Sequence, residues 1–439
     1  MFNKHPKGLY ILFFTEMWER FSYYGMRAIL TLYMITKAAG NNPGLGWDDA
    51  FALSIYGWYT MAVYVMSIPG GIIADRWLGQ KKTVLLGGVL LVFGHSVLAI
   101  DAIWAFAAGL ILIVLGVGGL KPNISTMVGG LYKEGDPKRD HGFTIFYIGI
   151  NIGAFLAALV VGGIGEIYGW HYGFGLAGIG MTLGLVQYLY GQKYLKGVGE
   201  SPAAKKETEE AIHKPLTKIE KDRMVVLFLS FIIIIAFWAA FEQAGGLMNI
   251  YTNSKVNRMF LGWQIPTSWF QSLGAFFIIT LGTTVASFWL KRQRLGKEAS
   301  TLFKMAVGIM IMGTGFLLMS GASLQASSTG KAGMYWVIFA YLLHTIGELC
   351  ASPTALSFIT KLAPVKYASF MMGAFFAATG IGNKLAGIIG KSASSAGELQ
   401  VFTGIFIFTV ILGLIVLVFL KRLKALTHGA ENNFEESNT

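Results

Sequence analysis

The sequence is divided into long apolar runs, separated by charged residues or by clusters of glycine and proline. An α-helix rises about 1.5 Å per residue, so about 20 apolar residues cross the ~30 Å hydrocarbon core of a bilayer. Twelve runs are long enough, with approximate limits 9–36, 51–74, 83–100, 103–121, 142–165, 172–191, 224–250, 267–290, 302–320, 334–360, 367–390 and 400–420. The chain is therefore predicted to be an all-α polytopic membrane protein with twelve transmembrane helices.

The composition excludes most soluble classes of protein. Charged residues make up 13% of the 439 residues, whereas soluble domains carry roughly 25%. A globule with so little charge could not cover its surface, so we do not expect a soluble enzyme or a nucleic-acid-binding protein. The single cysteine, Cys350, excludes a disulfide framework and a cysteine-built metal site.

The net charge of +12 is explained by orientation in the membrane. If the N-terminus is cytoplasmic, 26 Lys and Arg residues fall on the inner side and 5 on the outer side. Cytoplasmic loops carry such an excess of basic residues, and an even number of spans then predicts that both termini are cytoplasmic. We expect no cleavable signal peptide, because Glu16, Glu19 and Arg20 interrupt the first apolar run.

The longest break between spans covers residues 192–223 and divides the spans into six and six. Thr217 and Glu220 predict a capping box at the start of the seventh helix. A weak repeat supports two halves, because DRWLGQKK follows the second span and KRQRLGKE follows the second span of the second half. Two six-helix bundles around a central cavity are typical of the major facilitator fold. The predicted parts are a bundle at 1–191, a cytoplasmic linker at 192–223, a bundle at 224–420 and a cytoplasmic tail at 421–439.

Eight ionisable residues lie inside the predicted spans, where each costs on the order of 3 kcal/mol. They are Glu16, Glu19, Arg20, Arg27, Lys121, Glu242, Glu348 and Lys384. Burial disfavours a charged carboxyl group and a nearby Arg or Lys favours it, so the four glutamates are candidate proton carriers. Lys384 lies near the outer end of its span, and we expect its side chain to reach the interface.

Helix 1 carries four of these charges on one face, together with Tyr23 and Tyr24. One interpretation is a buried ion-pair network that only orients this helix. Against it, the remaining charges are spread over helices 4, 7, 10 and 11, and each needs a partner from elsewhere. The pairs Arg27 with Glu242 and Lys121 with Glu348 have opposite charges in different halves, so we interpret them as gates that form and break. Catalytic and nucleotide-binding motifs are absent from the sequence or have the wrong spacing between their residues, and we find no set of metal-binding residues.

Five motifs resemble those of one transporter family. They are EMWERFSYYG from Glu16, GGIIADRWLGQKKTV from Gly70, FTIFYIGINIGAF from Phe143, FWAAFEQ from Phe237 and GELCASP from Gly347. In this order they resemble the signatures of the proton-dependent oligopeptide transporter family of the major facilitator superfamily. The resemblance extends from about residue 8 to residue 420.

The resemblance implies symport of di- and tripeptides with protons across the cytoplasmic (inner) membrane, by alternating access, without enzymatic activity. It implies that Arg27 and Lys121 attract the peptide carboxylate and that Glu348 attracts the amino terminus. The residues implied to line the cavity are Tyr23, Tyr24, Tyr64, Tyr147, Asn151, Trp238 and Phe375, and those implied to couple protonation to movement are Glu16, Glu19, Arg20 and Glu242. We expect no cofactor or metal, only H⁺ as the coupling ion, and a monomeric functional unit.

Two departures from the family pattern concern substrate preference. Gly274 and Ala275 stand where the family usually has Asn-Pro, and Phe375 stands where a Trp is usual. The linker is also too short for the two extra helices common in bacterial members. An alternative is therefore a transporter of the same fold for another small zwitterion, an anion or a peptide-like drug. A membrane-embedded enzyme or a receptor-like sensor is a third hypothesis, from a different class.

Overall fold

The computed structural model describes residues 5–133, 136, 138–200, 216–364 and 368–430. Helices account for most of them. Their bounds are α1 Lys7–Ile35, α2 Asp49–Val65, α3 Ser67–Ile73, α4 Gln80–Leu98, α5 Ile103–Gly130, α6 Lys138–Ala157, α7 Gly163–Tyr168, α8 Trp170–Gly191, α9 Lys218–Phe241, α10 Leu247–Lys255, α11 Ser272–Arg294, α12 Thr301–Thr329, α13 Met334–Leu362, α14 Ala368–Ala396 and α15 Glu398–Leu426. Parts of the predicted linker (201–215) and tail (431–439) lie outside the described residues.

Short irregular elements join these helices. π-helical turns cover Ala74–Leu78 and Ala158–Gly162, and 3₁₀ turns cover Gln192–Tyr194, Glu242–Ala244 and Thr267–Gln271. Four two-residue strands form two small sheets. β1 (Val256–Asn257) pairs in parallel with β4 (Ala332–Gly333), and β2 (Met259–Phe260) pairs antiparallel with β3 (Trp263–Gln264).

Among the described residues, eleven helical segments are long and apolar enough to cross a membrane. Helix α1 has the length but carries five charged residues, and it is not among the eleven. The prediction of an all-α polytopic membrane protein is confirmed. Helix α5 runs beyond the predicted end of the fourth span at 121, because Pro122 is accommodated inside the helix. The side-chain amide of Asn123 donates to the Gly119 carbonyl at 2.7 Å, beside the hydrogen bond that proline removes.

The described residues group into two compact units. Unit 1 comprises Met1–Lys205, Ala244–Ser254 and Arg258–Ile279, and unit 2 comprises Lys206–Gln243, Lys255–Asn257 and Thr280–Thr439. The predicted division into bundles at 1–191 and 224–420 stays a prediction.

Glycine pairs allow close helix packing within each unit. In unit 1, α4 packs on α5, and a Cβ atom at Gly87 would lie 2.6 Å from the Gly116 carbonyl oxygen. In unit 2, α12 packs on α13 in the same way, because a Cβ atom at Gly308 would lie 2.7 Å from the Gly347 oxygen. Small residues let membrane helices approach each other closely, which explains part of the high glycine content of the chain.

Polar side chains define two helix starts. Thr217 and Glu220 form the predicted capping box at the start of α9, with the Glu220 N–H donating to Thr217 Oγ1 at 3.2 Å. At α2, Asp48 accepts a hydrogen bond from the Phe51 N–H at 2.9 Å. Each bond satisfies a backbone donor that has no partner within its helix.

Candidate substrate-binding and proton-coupling site

The charged face of α1 forms a buried salt-bridge cluster in unit 1. Glu16, Glu19 and Arg20 are 2%, 0% and 3% exposed. Nε of Arg20 lies 2.8 Å from Oε1 of Glu16 and 2.5 Å from Oε2 of Glu19. One guanidinium group therefore serves two carboxylates. Oε2 of Glu16 and Oε1 of Glu19 have no hydrogen-bond partner among the described residues.

Tyrosine rings surround the cations of α1. The guanidinium of Arg20 lies 5.9 Å from the ring centroid of Tyr23 and 5.8 Å from that of Tyr24. The guanidinium of Arg27 lies 4.9 Å from the Tyr24 ring. An aromatic face attracts a cation, so the rings stabilise Arg20 in its buried position and Arg27 in its half-buried one. The charged residues and the tyrosines predicted on one face of helix 1 are therefore in contact with each other.

Helices α2 and α5 extend this cluster. Nζ of Lys121, on α5, lies 3.7 Å from the ring centroid of Tyr64, on α2. Lys121 is also within electrostatic reach of Glu19 and Arg20. Lys121 therefore places a second cation beside the two carboxylates of α1. Protonation of one carboxylate would leave an excess of positive charge, which favours an anionic group as the ligand.

Tyr147 and Asn151 lie one turn apart on α6. The side-chain amide of Asn151 donates to the Tyr147 carbonyl at 2.9 Å, and Asn151 is 4% exposed whereas Tyr147 is 40% exposed. Helix α6 packs on α1, and a Cβ atom at Gly153 would lie 3.0 Å from Cβ of Arg20. The Gly153 face of α6 therefore approaches α1 beside the salt-bridge cluster, whereas Tyr147 and Asn151 lie on a different face of α6.

The other predicted site residues belong to unit 2. Trp238 and Phe375 line one small cavity, with Phe237, Met305 and Ser352 among its walls. Two residues predicted to contact the substrate are therefore brought together in a mainly apolar cavity. Glu242 is 4% exposed in the 3₁₀ turn after α9, and Glu348 is half-buried on α13. Neither glutamate is among the described residues that line this cavity.

Two amide side chains that were not predicted from the sequence anchor α1 beside Arg27. Asn249 and Gln271 donate to the Ala28 carbonyl at 3.0 Å and 3.2 Å. Asn249 also lies 3.0 Å from the Thr31 hydroxyl. All belong to unit 1. Uncharged amides in an apolar helix have no distinctive spacing, so no sequence signal marked them.

A second unpredicted contact joins the end of α7 to the turn before α11. The carboxylate of Glu166 accepts hydrogen bonds from the backbone N–H groups of Thr267 at 2.8 Å and Ser268 at 2.6 Å. The indole N–H of Trp269 donates to the Leu159 carbonyl at 3.0 Å. Leu159 lies in a π-helical turn, where the regular bonding pattern is interrupted. Glu166 follows the predicted end of the fifth span at 165, which is why it was not counted among the buried charges.

Comparison with family models places the chain among transporters. The model of the POT family (PTR2) matches residues 81–212 and 200–403. Among curated proteins, an uncharacterized transporter of Bacillus subtilis, YclF, is 36% identical over 95% of this chain and 94% of its own length. The di-/tripeptide transporter of Lactococcus lactis subsp. cremoris is 34% identical over 96% of both chains.

Solved structures of POT transporters are also similar to this chain. The crystal structure of a peptide transporter POT in complex with sulfate has a TM-score of 0.90 at 34% identity, covering 97% of this chain and 96% of that one. A POT family transporter in complex with 5-aminolevulinic acid has a TM-score of 0.89 at 32% identity, covering 96% and 98%. The predicted major facilitator fold is confirmed. The chain belongs to the POT family and is a membrane transporter.

Proposed function

We propose that this transporter imports di- and tripeptides together with protons, by alternating access. The observation that carries the proposal is the buried cluster of α1, in which Glu16 and Glu19 share the guanidinium of Arg20. Ionisable groups inside membrane helices are costly and are retained for transport or proton relay. Relatives that cover nearly the whole chain are named di-/tripeptide transporters, which supports the substrate class.

The coupling step uses the two carboxylates. Because Glu16 and Glu19 share one guanidinium, one of the two carboxylates can take up a proton while the other stays paired with Arg20. The oxygens of Glu16 and Glu19 that have no described partner supply positions for that proton. Protonation weakens the attraction between one carboxylate and Arg20, so the guanidinium binds the other carboxylate alone. Glu242 is proposed to take part in the same coupling from unit 2.

Peptide recognition is proposed to depend on charge and aromatic surface. Arg27 and Lys121 attract the peptide carboxylate, and Glu348 attracts its amino terminus. The first assignment is supported by Lys121, which lies beside the carboxylates of α1, because protonation of one carboxylate leaves an excess of positive charge there. Fixed charges that bind the shared termini, combined with walls that tolerate varied side chains, explain a broad substrate range. The proposed wall residues are Tyr23, Tyr24, Tyr64, Tyr147, Asn151, Trp238 and Phe375.

The proposed gating pairs join residues of opposite charge in the two units. Arg27 and Lys121 belong to unit 1, and Glu242 and Glu348 belong to unit 2. We propose that Arg27 with Glu242 and Lys121 with Glu348 form and break during the cycle. Exchange of Lys121 and Glu348 in one double variant should recover part of the uptake that each single variant loses. No recovery in the exchange variant would contradict this pairing.

The proposed location is the cytoplasmic (inner) membrane, with both termini in the cytoplasm and one chain as the functional unit. The 26 basic residues on the predicted inner side support this orientation. No cofactor beyond the coupling proton is proposed. Protease accessibility of tags at either terminus, in intact cells and in inverted vesicles, tests the orientation.

Uptake into proteoliposomes tests the proposed function. Labelled di-alanine should accumulate when the outside is acidic, and a protonophore should abolish the accumulation. Equal uptake with and without the gradient would contradict proton coupling. Empty liposomes and a Lys121→Ala variant provide the controls.

A second candidate is proton-coupled transport of another small zwitterion, an anion or a peptide-like drug. It is favoured by the structural match to a POT family transporter in complex with 5-aminolevulinic acid. Gly274 also leaves the start of α11 without an amide side chain. A competition panel of di-alanine, 5-aminolevulinic acid and a peptide-like drug separates the two. Uptake of 5-aminolevulinic acid without any peptide uptake would select the second candidate.

A further inference from the structure

Basic residues cluster where α11 and α15 end in unit 2, on the side predicted to face the cytoplasm. The carboxylate of Glu298 joins these ends, because Nζ of Lys424 donates to its Oε2 at 2.7 Å. Nε of Arg292 donates to the Glu298 backbone carbonyl, also at 2.7 Å. The two helix ends are therefore held side by side through one residue.

Three basic residues here are engaged by the protein itself. Lys424 pairs with Glu298, the Arg292 guanidinium lies 5.1 Å from the Phe303 ring, and Nζ of Lys304 lies 5.6 Å from the Trp289 ring. Glu298, the acidic residue of the connection between α11 and α12, is thus already neutralised.

Five further cations form what we call the α11–α15 basic patch. They are Lys291, Arg294, Lys297, Lys421 and Arg422. All five are exposed, and none has an ion-pair partner within the part of the chain that the structure describes. The patch therefore presents five exposed positive charges that are open to an anionic partner.

The surface beside the patch is apolar. Phe288 and Leu290, one turn before the end of α11, are 56% and 55% exposed. On α15, Val418 and Phe419 are 78% and 47% exposed just before the cations. Both helices are long and apolar enough to cross a membrane. The cations therefore lie in the last turns of two membrane helices, at the depth of lipid headgroups.

We propose that the α11–α15 basic patch binds the headgroups of anionic phospholipids in the inner leaflet, with acyl chains against the neighbouring apolar side chains. Basic clusters next to a membrane helix attract anionic lipids. On the side of unit 1 that is predicted to be cytoplasmic, by contrast, Lys81 has an ion-pair partner, because its Nζ lies 3.1 Å from Oε1 of Glu200. This binding does not depend on which solute is transported.

The test compares two triple variants that remove the same charge. Lys291→Gln, Arg294→Gln and Lys421→Gln neutralise the patch, whereas Lys82→Gln, Lys133→Gln and Lys196→Gln neutralise exposed cations of unit 1. Native mass spectrometry with phosphatidylglycerol, and with phosphatidylcholine as the neutral lipid, gives the dissociation constants. A cation near the surface contributes roughly fivefold in affinity, so the patch variant should bind phosphatidylglycerol about 100-fold more weakly. The unit 1 variant should retain nearly all of its affinity.

Two further measurements keep the outcome decisive if a variant is unstable. Binding of phosphatidylglycerol to the unmodified protein should weaken steeply as salt is added. Neutralising Glu431, Glu435 and Glu436 of the tail should leave that binding unchanged. Equal loss in both triple variants, no preference over phosphatidylcholine, or binding that emerges only after the tail is neutralised would each overturn the proposal. The last result would identify the acidic tail as the occupant.

Discussion

Nε of Arg20 lies 2.5 Å from Oε2 of Glu19, the residue directly before it on α1. The same atom lies 2.8 Å from Oε1 of Glu16, one turn earlier. Because all three side chains belong to one helix, their pairing moves with α1 and does not depend on a second helix. A proton taken up here changes the charge of α1 itself. This makes the cluster suited to sensing protons.

Replacing Glu19 or Glu16 with Gln should abolish uptake driven by a pH gradient and spare peptide counterflow. Glutamine keeps the size of the side chain but cannot carry a proton, so only the coupled step is lost. Both fluxes are measured in the same proteoliposomes, with Glu398→Gln on α15 as the control outside the proposed site. Equal loss of both fluxes would show that the cluster has only a structural role.

Replacing Lys121 with Ala should raise the KM for di-alanine by about 10- to 100-fold, because a hydrogen bond to a charged group contributes about 1.5–3 kcal/mol. The discrimination between free and amidated carboxyl termini should disappear at the same time. Lys133→Ala, which removes an exposed cation just beyond the end of the same helix, should change neither value. Unaltered discrimination in the Lys121 variant would remove Lys121 from the binding site.

Changes at Phe375 should shift the preference for peptide side chains. Phe375 and Trp238 line the same small cavity, so truncation of Phe375 would enlarge it. Phe375→Ala should favour peptides with large apolar side chains over di-alanine by about fourfold or more, since each additional buried methylene contributes about 0.8 kcal/mol. Phe375→Trp should have the opposite effect. Competition assays measure the ratio, and Phe408→Ala, at an exposed position of α15, is the matched control.

Replacing Glu166 with Ala should loosen the turn before α11. Its carboxylate accepts the backbone N–H groups of Thr267 and Ser268, and a buried donor without an acceptor costs about 1–3 kcal/mol. Hydrogen exchange at these two amides should accelerate by about tenfold or more. Glu166→Gln retains one acceptor and should give an intermediate rate. If the exchange rates of both variants match that of the unmodified protein, this carboxylate does not hold the turn.

The pairing of Glu298 should make part of the stability depend on pH. Burial raises the pKa of this carboxyl group, but hydrogen bonds from Lys424 and Ser300 outweigh burial and lower the pKa to about 2, from 4.5. The stabilisation is therefore complete above about pH 5 and is lost as the pH falls towards 2.

Because Glu298 is largely solvent-accessible, we expect Glu298→Gln to reduce the free energy of unfolding by only about 1 kcal/mol at pH 7. The difference from the unmodified protein should shrink to less than half near pH 3. Chemical unfolding in detergent measures it, with Glu398→Gln at the start of α15 as the control outside this contact. A difference that stays constant with pH would contradict the assigned pairing.

The spans and the charged face of α1 were predictable from the sequence, because hydropathy and helical periodicity are local properties. A helix presents residues three and four apart on the same side, so Glu16, Glu19, Arg20 and Tyr23 could be placed together without coordinates. The capping box of Thr217 and Glu220 was predictable for the same reason. The end of α5 was predicted too early, because a proline inside a membrane helix is tolerated when a neighbour such as Asn123 supplies a hydrogen bond.

The sequence alone determined that the chain crosses the membrane many times, which side is predicted to be cytoplasmic, and which charges stand out against an apolar background. Only the tertiary structure decided which of those charges meet. It showed that Lys121 lies over the ring of Tyr64, that Glu166 binds the amides of Thr267 and Ser268, and that Trp238 shares a cavity with Phe375. The physical reason is that these partners are far apart in the chain, and their contact depends on how whole helices pack.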